Sequence, residues 1–328
     1  MTAVVIAPLL AALAVGWLWR RARRTTASKV APEPPAAQAP ARQIGAYRIE
    51  RTIGRGAAGT VYLGCDAAGR SAAIKTFALR HEFDDEAYAE ARERFFREAA
   101  TARRLDHPDI VRVFDAGESG ALAYIAMEFV GGADLEAHTR PGALLPAREA
   151  VEIAARIADA LAHAHAQGVV HRDVKPANVL VDRAHGIVKV TDFGLAQVID
   201  GGRTRTGLML GSPSFMAPEQ LAGARLDGRT DLYALGVLLF QLLAGTLPHA
   251  SASMADLMRR IANEPAPDVR SLRPELPAPL AETLARALQK DPKARHADGA
   301  EMARALRAAV LLLPVGSGAA PASDPRPR

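Results

Sequence analysis

Cysteine is nearly missing from this sequence of 328 residues, which contains Cys65 and no other. A single cysteine excludes an intrachain disulfide and agrees with a reducing compartment. We interpret Cys65 as a small residue of a strand. At roughly 150 residues per domain, the length corresponds to two domains or to one large bilobal domain. Either is large enough to bury a sizeable core.

The body of the chain lacks an excess of either charge. The net charge is +5, but residues 47–328 contain as many acidic as basic side chains, and the whole excess lies in residues 1–46. A nucleic-acid-binding domain typically carries a basic face on its folded part. We therefore expect no nucleic-acid partner.

Residues 2–19 contain no charged side chain at all. As a helix this segment would be about 27 Å long, close to the hydrocarbon thickness of a bilayer. Trp17 and Trp19 lie at its end, and an arginine cluster follows at residues 20–24. We predict a single-pass anchor at residues 1–24, which contacts lipid through residues 2–24. The arginines then place the amino terminus outside and the remaining chain on the cytoplasmic side of the inner membrane.

Three alternatives to this anchor stay open: a cleaved signal peptide, an interfacial helix and a misplaced start codon. A signal peptide would carry its positive residues before the apolar run, whereas here they follow it. Residues 25–46 are predicted to be a juxtamembrane tether, because four prolines stand among alanines and no apolar period is present. A proline-rich ligand for a partner domain is the alternative for this segment.

A glycine-rich turn follows the first predicted strand, which begins at residue 47. Gly54, Gly56 and Gly59 form the pattern G-x-G-x-x-G-x-V with Val61. Glycines allow backbone N–H groups to approach phosphate oxygens closely. A dinucleotide-binding turn would open a helix among the glycines, but strand-like residues follow them here. The pattern alone is weak and fits a plain glycine-rich hairpin as well.

Lys75 lies on the next predicted strand, at residues 71–77, on the same face as Ala73. From that face a lysine can reach a nucleotide, although a lysine considered alone is more often a solvated surface residue. A helix is predicted at about 84–105. Glu98 on this helix is our candidate ion-pair partner for Lys75, and Glu93 is the competing candidate.

A further helix is predicted at residues 146–166, where apolar residues recur at helical spacing. His163 and His165 are interpreted as a surface and a core residue of this helix. A metal site is not expected from them, because no Glu or Cys at metal-binding spacing accompanies them.

Three motifs then follow in order. They are His171-Arg172-Asp173-Val174-Lys175-Pro176-Ala177-Asn178, Asp192-Phe193-Gly194 and Ala217-Pro218-Glu219. Together with the glycine turn and Lys75, they make residues 47–312 resemble the eukaryotic-like serine/threonine protein kinases of bacteria, in their single-span membrane form.

The resemblance implies an α+β, bilobal protein kinase fold. A small β-rich lobe would span residues 47–128 and a larger, mainly α-helical lobe residues 129–312, followed by a short disordered tail at 313–328. It also implies ATP-dependent phosphorylation of Ser and Thr hydroxyls on proteins, in signal transduction at the membrane. The expected cofactors are ATP and Mg²⁺, or Mn²⁺ in its place.

The same resemblance gives each motif residue a role in phosphoryl transfer. Asp173 would orient the substrate hydroxyl and accept its proton, while Lys175 steadies the transferring phosphate. Asn178 and Asp192 would supply the oxygen ligands that Mg²⁺ prefers. Lys75 would hold the α and β phosphates. Lysine at position 175 is the serine/threonine form of this loop.

An adenine site is implied as well. The backbone of Glu128 and Val130 would read the adenine edge, and Asp134 would contact the ribose. Besides the three glycines, the side chains expected around the nucleotide are those of Ile53, Val61, Ala73 and Leu180.

Arg172, beside the catalytic aspartate, usually marks control by activation-loop phosphorylation in this family. We therefore expect autophosphorylation at Thr204, Thr206 or both, in trans between two copies of the chain. Ordinary loop threonines are the alternative. Two structural contacts are also expected, a brace of the catalytic loop by Asp231 and an ion pair of Arg295 with Glu219.

Two other functions stay open. A pseudokinase scaffold would bind nucleotide and partners without catalysis, but Lys75, Asp173, Asn178 and Asp192 are all present. A small-molecule kinase would not need an intact activation loop, which is built for a peptide acceptor. Proteins with Ser or Thr acceptors are therefore the expected partners.

Overall fold

The computed structural model describes residues 43–56, 59–82, 85–193 and 213–314. The predicted anchor, the tether up to residue 42, Thr204, Thr206 and the tail from residue 315 lie outside the described residues. Within the described ranges, no helix combines the length and the apolar character needed to cross a bilayer.

The amino-terminal part of the described chain is an antiparallel sheet of six strands in the order β1-β2-β3-β4-β6-β5. The strands are β1 (Gln43–Ile44), β2 (Tyr47–Gly56), β3 (Gly59–Cys65), β4 (Ser71–Phe77), β5 (Val113–Ser119) and β6 (Leu122–Glu128). The strand predicted at residues 71–77 is confirmed as β4. On β4, Ala73 pairs with Leu63 on one side and with Met127 on the other.

The carboxyl-terminal part is mainly helical. The helices of the chain are α1 (Leu79–Glu82), α2 (Asp85–Ala102), α3 (Ala147–Ala166), α4 (Pro218–Leu221), α5 (Gly228–Ala244), α6 (Met254–Asn263), α7 (Ala278–Ala287) and α8 (Gly299–Val310). A small antiparallel sheet joins β7 (Ala133–Asp134), β8 (Val179–Asp182) and β9 (Ile187–Val190). The fold is therefore α+β, with a β-rich part and a helical part, as predicted.

The central helix of the larger core is α5, which is buried along almost its whole length and packs against α3. Asp227 begins it, because the carboxylate accepts from the N–H of Arg229 at 2.8 Å. Gly245 ends it with a φ of 72°, a left-handed conformation that glycine adopts without strain. The cap at Asp227 places the start of the helix at Gly228, so that Asp231 lies in its first turn.

A second core lies between the sheet and α2, around Phe95 and Ile125. A third cluster covers the outer face of the sheet, where Ile44 of β1 packs with Tyr47 and Tyr124. The helix predicted at 146–166 is confirmed as α3, and the one predicted at about 84–105 is α2, which ends slightly earlier. These hydrophobic cores hold in place the strands and helices that carry the predicted site residues.

Candidate active site

The glycine pattern forms the hairpin between β2 and β3. Gly54 pairs with Val61 and Gly56 with Gly59, while residues 57–58 at the tip lie outside the described residues. Gly59 has a φ of 132°, and a Cβ there would lie 1.8 Å from the carbonyl oxygen of Thr76. The sheet itself therefore requires Gly59. A Cβ at Gly56 would meet no described atom within 4 Å, so this side of the hairpin is open to a ligand.

Lys75 lies on β4, directly opposite Val61 of β3. Its Nζ donates to Oδ2 of Asp192 at 2.6 Å, and the two side chains are 13% and 18% exposed. This contact links the sheet to the segment that follows β9. The structure thus brings together a predicted phosphate-binding lysine and a predicted metal ligand that are far apart in the sequence.

Lys75 pairs with Asp192 among the described residues, whereas Glu98 is the partner that the sequence predicts for it; the pair of Lys75 with Glu98 stays a prediction. Glu98 on α2 lies near a different cation, Arg172 of the catalytic loop. Burial raises the pKa of Glu98, and the charge of Arg172 opposes that rise. The rotation of α2, which the sequence pattern does not specify, decides which cation the carboxylate approaches.

The competing candidate, Glu93, has a cation partner on its own helix. It pairs with Arg97 one turn further along α2, at 2.5 Å, and both side chains are exposed. This is an ordinary surface pair at i,i+4 spacing.

The side chains expected around an adenine ring lie in one apolar cluster. Ala73 is buried in the core beneath the sheet, and Ile53, Val61, Val130 and Leu180 all pack against that core. Leu180 belongs to β8 of the small sheet, so both parts of the protein contribute to the cluster. The arrangement can enclose a flat apolar ring.

Glu128 ends β6 at the expected adenine edge. Its N–H donates to the carbonyl of Arg112 at 2.8 Å, so it can meet an adenine only through its own carbonyl oxygen. Its carboxylate accepts from Nζ of Lys189 at 2.8 Å and from the N–H of Arg112 at 3.2 Å. Sequence reasoning missed Lys189, since nothing in the alternating strand around it indicates a partner near residue 128.

Asp134 lies beside Leu180 in the pairing of β7 with β8. Its carboxylate accepts from the N–H of Glu136 at 3.0 Å and caps the short 3-10 helix Leu135–His138. The residue expected at the ribose therefore also has a structural contact.

Asp173 is at the centre of the catalytic loop and accepts two hydrogen bonds on Oδ2. One comes from Nζ of Lys175 at 2.7 Å and the other from Nδ2 of Asn178 at 3.0 Å. Nδ2 of Asn178 also lies 2.7 Å from the backbone carbonyl of Asp173. The structure therefore brings the predicted base, the predicted phosphate lysine and one predicted metal ligand into direct contact.

Two non-glycine residues of the described chain have a left-handed backbone, Arg172 with φ 68° and Asp192 with φ 66°. Such conformations cost about 1–3 kcal/mol and persist where the surroundings fix them. The fully buried Asp231 fixes the backbone of the loop at Arg172. Its Oδ1 accepts from the N–H of Arg172 at 2.7 Å, and its Oδ2 accepts from the N–H of His171 at 2.8 Å. This is the contact expected of Asp231. His165, interpreted as a core residue, also contacts Oδ2, through Nε2 at 2.7 Å.

His171 connects the catalytic loop to the segment with Asp192. Its Nδ1 accepts from the N–H of Asp173 at 3.3 Å, so the ring proton lies on Nε2, which faces the carbonyl of Thr191 at 2.8 Å. The ring also contacts Phe193, with centroids 4.6 Å apart. The predicted base and the predicted metal ligand are thus held in one network.

The predicted ion pair of Glu219 with Arg295 is present. Arg295 donates to both carboxylate oxygens, at 2.6 and 2.7 Å, and Thr230 Oγ1 donates to one of them at 3.0 Å. Burial alone would raise the pKa of Glu219, but the hydrogen bonds and charge of Arg295 outweigh it and hold the pKa below its ordinary value. The next residue, Gln220, was not predicted; its Nε2 donates to the carbonyl of Arg172 at 3.0 Å.

The oxygen donors near Asp173 suit a hard divalent cation. Asn178 offers an amide oxygen and Asp192 a carboxylate, the ligand types that Mg²⁺ prefers. Among the described residues, no group of three or more His, Cys, Asp or Glu side chains could hold a metal ion without further ligands. A cation held by these two side chains would need ligands from phosphates and water, which is usual for Mg²⁺ in nucleotide sites.

Comparison with known proteins agrees with this geometry. The protein kinase domain model matches residues 47–307. The chain is 40% identical over 259 residues to the probable serine/threonine-protein kinase PknB of Lactococcus lactis, covering 78% of this chain and 40% of that protein. It is 42% identical over 272 residues to the serine/threonine-protein kinase PknJ of Mycobacterium tuberculosis, covering 80% and 45%. The chain thus spans less than half the length of these relatives.

A solved structure is similar over most of the chain. The crystal structure of the PknI kinase domain of Mycobacterium tuberculosis superimposes with a TM-score of 0.66 at 34% identity, covering 81% of this chain and 97% of that one. The family model covers the part of the chain that holds Lys75, Asp173 and Asp192. The chain therefore belongs to the protein kinase family, among the bacterial serine/threonine protein kinases.

Proposed function

We propose that the chain transfers the γ-phosphate of ATP to Ser and Thr hydroxyls of proteins. The observation that carries this proposal is the contact of Asp173 with Lys175 and Asn178, beside the pair of Lys75 with Asp192. Phosphoryl transfer needs positioning and charge neutralisation more than covalent chemistry from the protein. The site has a carboxylate that can position the acceptor hydroxyl, Asp173, and two lysines that can neutralise phosphate charge, Lys75 and Lys175.

The acceptor hydroxyl is oriented by Asp173. Lys175 and Asn178 both contact Oδ2 of its carboxylate, and we assign Oδ1 to accept the hydroxyl proton. Lys175 carries a positive charge next to this oxygen and is placed to neutralise the phosphoryl group during transfer. Both lysines of the site thus act on phosphate, Lys175 at the transferred group and Lys75 at the α and β phosphates.

Binding of the nucleotide is assigned to the hairpin and to the apolar cluster. Gly54 and Gly56 leave the phosphate path open, and Val61, Ala73 and Leu180 enclose the adenine. Asn178 and Asp192 would hold Mg²⁺, which supplies positive charge to the phosphates. Lys75 would bind the phosphates itself, and its contact with Asp192 would also keep that carboxylate close to them.

The choice of acceptor rests on Lys175 and on the relatives. Lysine two residues after the catalytic aspartate is the serine/threonine form of the loop, and the relatives named above are serine/threonine protein kinases. A pseudokinase is disfavoured because Lys75, Asp173, Asn178 and Asp192 are all present in the sequence, and a small-molecule kinase would not need the activation loop that the chain retains.

Transfer of radiolabel from ATP tests this proposal. Wild-type chain with Mg²⁺ should label itself or a basic test protein, and Asp173→Asn should abolish the labelling while the protein stays folded. A matched control is Asp298→Asn, a helix cap of α8 far from the loop in sequence, which should label normally. Equal labelling by wild type and Asp173→Asn would contradict the proposed role of Asp173.

We further propose control by autophosphorylation at Thr204, Thr206 or both, between two copies of the chain. Arg172 supports this, because a guanidinium beside the catalytic aspartate attracts an anion such as a phosphothreonine. Glu98 already lies near this guanidinium and would compete with a phosphate for it. Intact mass and fragment spectra of active protein should show phosphate at one or both threonines. Active protein without phosphate at either would contradict this proposal.

The anchor at residues 1–24 is also a proposal. Its support is the uncharged run at 2–19 followed by arginines, which fits a single span with the kinase on the cytoplasmic side of the inner membrane. Protein expressed with its native amino terminus should stay with the membrane pellet after carbonate extraction. Recovery in the carbonate supernatant would contradict the anchor.

A further inference from the structure

Gln220 is a half-buried residue that the proposed chemistry does not use. It lies on α4, directly after Ala217-Pro218-Glu219. Its Nε2 donates to the carbonyl oxygen of Arg172 at 3.0 Å, across 48 residues of sequence. That carbonyl belongs to the peptide unit that leads into Asp173.

The two peptide units on either side of the Arg172 Cα are both held by side chains. Asp231 Oδ1 accepts from the N–H of the first unit at 2.7 Å, and Gln220 donates to the carbonyl of the second. Because φ and ψ of a residue are the rotations between these two units, fixing both units fixes both angles. Arg172 needs this support, since its φ of 68° is unfavourable for a residue with a Cβ.

The groups that hold Arg172 belong to one rigid frame. Gln220 follows Glu219 on α4, and Asp231 follows Thr230 on α5. Thr230 Oγ1 donates to Glu219 Oε1 at 3.0 Å, so that the two helices are joined next to the two holding residues. The frame therefore fixes the direction in which the chain enters Asp173.

Arg295 makes a second contact with the Glu219 carboxylate and strengthens the same frame. Arg295 binds both oxygens of Glu219 and also donates to the backbone carbonyl of Arg229 at 3.0 Å, just before Thr230. The guanidinium is completely buried. Rotation of α4 against α5, which would move Gln220 away from the loop, would therefore break buried charged hydrogen bonds.

We propose that Gln220 is a positioning residue for phosphoryl transfer. Its amide holds the peptide unit between Arg172 and Asp173, and so keeps the Asp173 carboxylate aimed at the acceptor hydroxyl. The inference rests on the proposed function, since it assigns Gln220 to the same reaction. This role requires a hydrogen-bond donor at position 220, and a side chain of similar size without a donor does not replace Gln220.

Steady-state kinetics of the full chain test the inference with two variants. Gln220→Met has a similar volume and no donor, whereas Gln220→Lys keeps a donor on a flexible stem. Gln289→Met is the matched control, because Gln289 is exposed and also donates from Nε2 to a backbone carbonyl, that of Ala285 at 3.2 Å. Each protein is measured for kcat, for KM of ATP, and for the number of sites that bind ADP with Mg²⁺.

The expected result is a loss of kcat in Gln220→Met of about 10- to 100-fold, because a small misplacement of a reacting group costs that much. KM for ATP and the number of ADP sites should not change, since the nucleotide contacts lie elsewhere. Gln220→Lys should recover most of the lost kcat, and Gln289→Met should match the wild type. A purely structural role would instead lower kcat in proportion to the number of intact ADP sites.

Three results would overturn the inference. They are a wild-type kcat in Gln220→Met, a loss of kcat that equals the loss of ADP sites, and a Gln220→Lys variant as slow as Gln220→Met with its ADP sites intact. A wild type that transfers no phosphate to any protein is a different result. It would refute the proposed function, and the inference would fall with it.

Discussion

Arg295 is a completely buried guanidinium, and each of its five N–H groups has an acceptor. Two donate to Glu219, and the others donate to the backbone carbonyls of Gln289 at 2.8 Å, Arg229 at 3.0 Å and Lys290 at 3.2 Å. A charge buried with complete hydrogen bonding is tolerated, but removal of one partner leaves the other uncompensated. This residue therefore determines whether α4 keeps its place.

Replacement of Arg295 by Met should destabilise the protein by about 3–5 kcal/mol, because Glu219 would stay buried without its partner. The free energy of unfolding in urea measures this change. The control is Arg307→Met, since Arg307 pairs with Asp159 at the surface and should contribute less than about 1 kcal/mol. Equal stabilities of the two variants would contradict the assignment of Arg295.

His249 is a buried histidine whose protonation should destabilise the fold. Burial, together with the positive charge of Lys290, whose Nζ lies 3.2 Å from Nε2, lowers its pKa from 6.5 to about 4. Arg260 acts in the same direction and Glu264 opposes both. Between these two pKa values the unfolded chain binds a proton that the folded chain does not.

Stability should therefore fall as the pH drops from about 6.5 to about 4. His249→Gln, which still offers an acceptor to Lys290, should make this part of the pH profile flatter. Urea unfolding at a series of pH values measures the slope. His185→Gln, a change at an exposed histidine, should leave the slope as in the wild type. The same steep fall in His249→Gln would assign the acid sensitivity to another group.

At the scale of elements, α8 packs closely on α3 because it begins with a glycine. A Cβ on Gly299 would lie 2.2 Å from the backbone carbonyl oxygen of Ala158 and 3.0 Å from the N–H nitrogen of Ala162. Neither backbone atom can move without distorting α3. The close approach of the two helices thus depends on the missing side chain.

Gly299→Ala should destabilise the protein by about 1–3 kcal/mol, the usual cost of inserting a methyl group into a filled space. Gly236→Ala on α5 is the comparison, because its Cβ would meet the Cβ of Ala287 at 3.0 Å and side-chain carbons of Leu288 at 3.2–3.4 Å, a much smaller overlap than the 2.2 Å at Gly299. Thermal unfolding should rank the wild type first, Gly236→Ala second and Gly299→Ala last. The reverse order of the two variants would contradict the packing argument.

At the scale of the whole molecule, local patterns predicted the elements better than the contacts between them. The strand with Lys75 and the helix α3 follow from the spacing of apolar residues, which acts over a few residues. The contact of Lys75 with Asp192 was not predicted, because it depends on how the segment after β9 is placed against the sheet. The contacts of Lys189 and Gln220 also join distant segments, and no local signal marks either residue.

The motif residues of the site were found from the sequence because their spacing within each motif is short. Asp173, Lys175 and Asn178 lie within six consecutive residues, so that the loop alone brings them together. The left-handed backbone at Arg172 was not foreseen, since arginine has no preference for it. Asp231, buried on α5, and Gln220, half-buried on α4, hold the peptide units on either side of it, and both are far from Arg172 in the sequence.

The central claim is that this chain phosphorylates Ser and Thr residues of proteins, and phosphoamino acid analysis tests it most directly. A protein acceptor is incubated with the wild-type chain, Mg²⁺ and radiolabelled ATP, and the labelled residues are identified after acid hydrolysis. We predict label on phosphoserine, phosphothreonine or both, and none with Asp173→Asn. Label on phosphotyrosine alone, or no transfer to protein by a folded wild type that binds ATP, would contradict the account.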